Sequence, residues 1–272
     1  MNRISQIDKL LFIDTYYLAN IAEAVVGEES FGYVRFFDEI WSEGKVLNYS
    51  CGFSKECSAL ECFIFELCDR VYEELTCEIS ASDYRKKKAS FGAANLKIDS
   101  ILHKYTDYIG NFEDHLKLKP NLEPSDYYLD VYEHLVEAYK KVSYEVFHIL
   151  FMNRAFLQKF NQLLADNLEL FSTDEDIQLY DVFKKNGTLK RVAIPSFVKK
   201  AVFYRDRGRC VYCNKDLSNL ISVLSKGNFD HIIPLAKFGA NDISNLQLCC
   251  SGCNGQKREK IIEPSHSYER WY

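Results

Sequence analysis

Chain breakers are scarce in this sequence: five prolines and twelve glycines in 272 residues. That leaves little room for a turn-rich β fold and favours helices. Also lacking is an apolar run of about eighteen residues, so no transmembrane helix is expected. The N-terminal stretch MNRISQIDKLLFIDTYYLANIAEAVV carries acids within its apolar residues. This argues against a signal peptide and predicts an amphipathic helix, a cytoplasmic location and reduced thiols. A polar excess is missing too: 47% of the residues are hydrophobic and 14% aromatic, which excludes a disordered chain.

The net charge of −5 hides a split. Residues 1–183 hold 18 Lys and Arg against 32 Asp and Glu, a net of −14. Residues 184–272 hold 16 against 7, a net of +9. A basic module therefore follows an acidic one, and the basic module suits a polyanionic partner.

Residues 1–172 read as helical throughout, with no internal repeat. Leu10, Leu11, Ile13, Tyr17, Leu18 and Ile21 fall at helical spacing, and a second amphipathic run lies over 31–42. Ser54 is placed to cap a third helix carrying Leu60, Phe63, Ile64, Leu67, Val71 and Leu75. A run over 83–109 follows, with Lys86, Lys87 and Lys88. The segment KLKPNLEPSD reads as a loop, and 126–171 as a long helical stretch interrupted once. Residues 173–193 read as a linker, with acids at 174–176 and a basic turn at KKNGTLKR. A helix should start near Pro195 and Ser196, bury Val198, Val202 and Phe203, and end in a left-handed cap at Gly208. Short strands and a final helix near 252–260 complete the pattern. The fold class is α+β: an all-α helical domain over 1–183, then a small metal-stapled domain over 184–272.

The cysteines form two populations. Those at 51, 57, 62, 68 and 77 make no C-x-x-C knuckle and read as core residues. Cys210 and Cys213 frame CVYC, and Cys250 and Cys253 frame CSGC. Two such pairs in a reducing compartment point to tetrahedral zinc. Four thiolates leave no position for water, so this zinc is structural, and it makes up for a small core. Cys249 lies outside the spacing and reads as buried packing.

Between the pairs runs FDHIIPLAKFGANDISNLQLCC. Asp230 and His231 sit at the end of an expected strand, Asn245 follows in SNLQLCC, and Asn254 comes directly after the last zinc cysteine. CVYC, DHIIP, SNLQLCC and CSGCN together resemble the four-cysteine form of the HNH (ββα-metal) endonucleases, over about residues 194–261. The resemblance implies a two-stranded hairpin and a helix gripping one divalent ion. It makes His231 the general base and Asn245 the residue that ties the loop of the His-bearing strand. Asp230 and Asn254 become ligands of a catalytic ion. Oxygen ligands at both positions favour Mg²⁺ or Mn²⁺ over zinc. It also draws Lys199, Lys200, Arg205, Arg207 and Arg209, with Lys257, Arg258 and Lys260, toward a DNA backbone.

The implied activity is metal-dependent hydrolysis of DNA phosphodiester bonds, in restriction, anti-phage defence or mobile-element biology. The alternative is a zinc module that binds nucleic acid without cutting. Residues 1–183 carry no such motif, and the expectation for them is regulation or docking of a protein partner or a second copy.

Overall fold

The structure is a computed structural model, and it describes residues 13–27, 45–77, 92–172, 181–218 and 228–265. The expected run over 31–42, Lys86 to Lys88 and the acids at 174–176 lie outside these residues. Among the described residues are ten α-helices and one two-stranded sheet, an α+β fold dominated by helices. The helices are α1 (Ile13–Val26), α2 (Lys45–Ser50), α3 (Ala59–Cys77), α4 (Gly92–Tyr105), α5 (Phe112–Leu118), α6 (Pro124–Asp130), α7 (Tyr132–Phe151), α8 (Arg154–Phe171), α9 (Ser196–Arg205) and α10 (Ser251–Lys257). The strands are β1 (Phe229–His231) and β2 (Leu246–Leu248). None of the helices is long and apolar enough to cross a membrane.

Contacts divide the chain into two compact units, one of residues 1–22 and 63–148, the other of 23–62 and 149–272. The division falls inside α1, α3 and α7, and it differs from the charge boundary at 183. The long stretch expected over 126–171 is broken at Val131 and again at Met152–Asn153, where the Asn153 side chain accepts the Phe156 N–H and caps α8.

In the first unit, Phe63, Leu67, Ile98, Ile101, Leu102, Leu135, Val142 and Val146 form the core. Polar side chains are paired across it. The Tyr127 hydroxyl donates to Asp99 at 2.7 Å, and Thr15 and Tyr105 both donate to one oxygen of Glu145 at 2.7 Å. Tyr72 and Tyr139 stack at 5.5 Å. Pro124, expected in a loop, opens α6 instead, where its missing N–H costs nothing.

In the second unit, α8 turns Phe156, Leu157, Phe160, Leu164 and Leu168 inward at helical spacing. It packs on α2 and on a 3₁₀ turn, Ile243–Asn245. The first turn of α3 also belongs here. Its cap is Ser58, four residues after the expected Ser54. Ser58 Oγ accepts the Glu61 N–H, and Glu61 accepts the Ser58 N–H, a reciprocal capping box. Ser54 only closes a local turn, accepting from the N–H of Glu56. Within the segment read as a linker, residues 182–190 form a tight hairpin with Phe183 opposite Leu189. Helix α9 starts and stops where the sequence indicates. Its terminus is a Schellman motif: Gly208 is left-handed as expected, at φ 64°, and donates to Phe203 O, and Arg207 before it is left-handed too, at φ 57°.

Candidate active site and metal centre

Each zinc knuckle is a tight turn. Cys210 N donates to Lys215 O, Asn214 N donates to Cys210 O, and Asn214 holds a left-handed φ of 59°, closing the loop around CVYC. Cys250 caps α10, its Sγ accepting the Cys253 N–H at 3.4 Å. The four Sγ atoms of Cys210, Cys213, Cys250 and Cys253 lie within 4.8 Å of one another, and Cys213 and Cys250 are 3.8 Å apart. A zinc ion with Zn–S bonds of about 2.3 Å needs tetrahedral edges of about 3.8 Å. The donor set and spacing therefore fit one zinc ion. Burial works against ionisation of Cys250, but the Cys253 N–H and the neighbouring thiols outweigh it and bring the thiol well below its ordinary value.

The zinc turns hold a small sheet. β1 and β2 are antiparallel, pairing Phe229 with Leu248, Asp230 with Gln247 and His231 with Leu246. Side chains alternate along β1: Phe229 and His231 are buried, while Asp230 is half-exposed. Asp230 faces Gln247, whose side-chain nitrogen donates to it at 3.1 Å. Its main partner is Lys257. This buried ammonium lies 2.8 Å from Asp230 Oδ2 and donates to His231 O at 2.6 Å. Asn254 stands one turn before Lys257 on α10.

His231 is 2% exposed, and its Nε2 has no hydrogen-bond partner among the described residues. Burial pushes its pKa down to about 3, and the positive charges of Arg191 and Lys257 act in the same direction. The nearby Asn241 side chain works against them. The imidazole is thus neutral near pH 7, the form able to take a proton.

Asn245 is fully buried and uses its whole amide. Its Oδ1 accepts the Ile233 N–H at 2.8 Å, and its Nδ2 donates to Ile233 O at 3.0 Å and Ala240 O at 2.9 Å. Its backbone oxygen accepts the Ile232 N–H at 2.7 Å. The loop after His231 is therefore tied by one side chain. Below it, Asp242 accepts from Ser244 N and from Ala59 N, and Ser244 donates to Asn161 on α8.

Of the eight basic residues drawn toward a nucleic-acid backbone, two point inward, which corrects that expectation for them. Arg205 is buried, forks onto Asp206 at 3.0 and 2.9 Å, donates to Leu246 O at 2.6 Å and stacks over Phe151. With Asp206 accepting from Leu248 N, it fastens α9 to β2. Lys257 is the buried partner of Asp230. Lys200, Arg258 and Lys260 are exposed, and Lys199, Arg207 and Arg209 are half-buried. Asn241, Gln247 and Arg191 were not singled out from the sequence. Only Gln247 carried a signal, since strand pairing puts it across from Asp230.

Residues 210–267 match the HNH endonuclease family. The chain thus carries an HNH domain, with a cysteine cluster at zinc-binding distance. The match begins at the first zinc cysteine, so α9 precedes it. No curated protein and no solved structure matches the chain significantly.

Proposed function

We propose that the protein is a metal-dependent endonuclease that hydrolyses DNA phosphodiester bonds. The observation that carries this reading is the Asn245 clamp on the loop after His231, inside the HNH domain. His231 takes the proton of the attacking water as the phosphorus–oxygen bond to the 3′-oxygen breaks. Asn245 holds the loop, so the imidazole stays aimed. Asp230 and Asn254 are the ligands for a hard divalent ion, Mg²⁺ or Mn²⁺. When bound, that ion supplies charge stabilisation to the phosphate and the departing oxygen. Lys199, Lys200, Arg207, Arg209, Arg258 and Lys260 contact the backbone, which positions the duplex without choosing a sequence.

On this reading the basic part, 184–272, is the effector. The acidic part, 1–183, regulates it or docks a partner, in a cytoplasmic restriction, defence or mobile-element role. The test is cleavage of supercoiled and linear DNA by the full chain with Mg²⁺, Mn²⁺ or EDTA, beside His231→Ala. Cleavage that needs the divalent ion and is lost in the variant is the expected result. One observation favours a second reading, a nucleic-acid binder that does not cut: Lys257 already neutralises Asp230. Binding with no cleavage under any of the ions would select it.

A further inference from the structure

The hairpin over 182–190 lies outside the HNH match and has no role in the site as described so far. Its backbone is tightly specified. Lys190 N donates to Val182 O and Lys184 N to Thr188 O, each at 2.8 Å, and Gly187 turns the chain at φ 77°. Asn186 accepts from both the N–H and the hydroxyl of Thr188. Thr188 and Leu189 are buried and anchor it.

Lys184, Lys185, Lys190 and Arg191 point out, and all four are exposed. Lys190 donates to Asp181 O. Lys184, Lys185 and Arg191 have no carboxylate partner among the described residues. The hairpin is joined to the loop behind the catalytic histidine: Asn241, fully buried, donates its Nδ2 to Lys190 O at 2.8 Å. The residue before it, Ala240, accepts from Asn245 Nδ2 at 2.9 Å, so the hairpin is fixed to the same amide that ties the loop after His231. These cations are also the first of the stretch where the charge of the chain turns from −14 to +9.

We propose that this hairpin is a phosphate-binding wall of the HNH site, with Lys184, Lys185 and Arg191 holding the phosphodiester backbone where it passes His231. The inference rests on reading His231 as the base of a nuclease. Exposed cations on a rigid hairpin lose little entropy on binding, and each phosphate they neutralise releases counterions.

The test uses the full-length protein in EDTA, so that nothing is cut. Wild type and the triple variant Lys184→Gln, Lys185→Gln, Arg191→Gln are titrated with a 20-base-pair DNA duplex and with the matching RNA duplex, over a range of salt. On whichever duplex wild type binds, the variant is expected to bind at least about tenfold more weakly at low salt. Its slope of log affinity against log salt should be shallower by up to about 2.7, from about 0.9 per lost contact. Zinc content and melting temperature should not change, because the three side chains are exposed. Wild-type affinity and slope in the variant would overturn the hairpin's role while leaving the nuclease reading intact. If wild type binds neither duplex, the nucleic-acid reading itself falls, and the hairpin's role with it.

Discussion

Asp242 accepts the backbone N–H of Ala59 at 3.0 Å, across 183 positions of sequence. The carboxylate thereby caps the first turn of α3 while its other oxygen holds Ser244 N at 2.9 Å in the loop that carries Asn245. The loop that carries Asn245 is built partly on helices from the acidic half of the chain. Asp242→Ala leaves two buried N–H groups without acceptors. At about 1–3 kcal/mol for each group left unpaired, the melting temperature of the full chain should fall by several degrees. For the same reason a fragment of residues 184–272 should express poorly or show no cooperative melt. A fragment that melts cooperatively with zinc bound would show that the upstream helices are dispensable for folding.

The four-cysteine cluster was legible because its chemistry is local: two tight turns define it by spacing alone. Asn245 was legible only through the family resemblance, since a buried amide clamp leaves no periodic trace. Arg205 and Lys257 were misread because a cation among other cations looks solvated. Only the folded chain reveals that Asp206 and Asp230 meet them. The cap of α3 was expected at Ser54 because a serine ahead of the apolar run, with Glu56 close behind it, reads as a helix start. Ser58 wins because Glu61 stands three residues on and can return the hydrogen bond. The hairpin over 182–190 read as linker because it buries just two side chains.

Lys257 should behave as a placeholder for a cation and not as a nucleic-acid contact. Its ammonium is buried, 2.8 Å from Asp230. Lys257→Met removes one charge of a largely buried pair, which typically costs about 3–5 kcal/mol, less here because Asp230 is partly open to water. The variant should melt lower, and Mn²⁺ should raise its melting temperature more than that of wild type. Its salt slope for DNA should match wild type. A shallower slope would return Lys257 to the nucleic-acid surface.

The four-cysteine site should hold about one zinc per chain, and mild EDTA that strips the catalytic ion should leave it in place. Cys213→Ser opens the knuckle and should lower solubility or unfold the HNH domain, since the small sheet has little core of its own. Metal analysis with a melt decides this. A Cys213→Ser protein that keeps its zinc and its melting temperature would mean that the cysteines are not the ligands.

The last expectation concerns acid. An ordinary imidazole, with pKa near 6.5, is roughly three-quarters protonated at pH 6, leaving about a quarter able to act as a base. Burial, then Arg191, push His231 down to about 3, so it should remain neutral there. A divalent ion beside Asp230 acts in the same direction. At saturating Mn²⁺ or Mg²⁺, the single-turnover cleavage rate should therefore stay level from pH 8 to about pH 5.5 instead of halving near 6.5. Stability follows the same shift. The folded state binds fewer protons than the unfolded state between about 3 and 6.5, so this contribution is complete above 6.5 and is lost as pH falls toward 3. Melting curves of wild type should drop over that window more steeply than those of His231→Gln, which has no proton to take up. An acid limb at 6.5, together with equal pH dependence of melting in the two proteins, would show that the imidazole is open to water and that its burial does not set its charge.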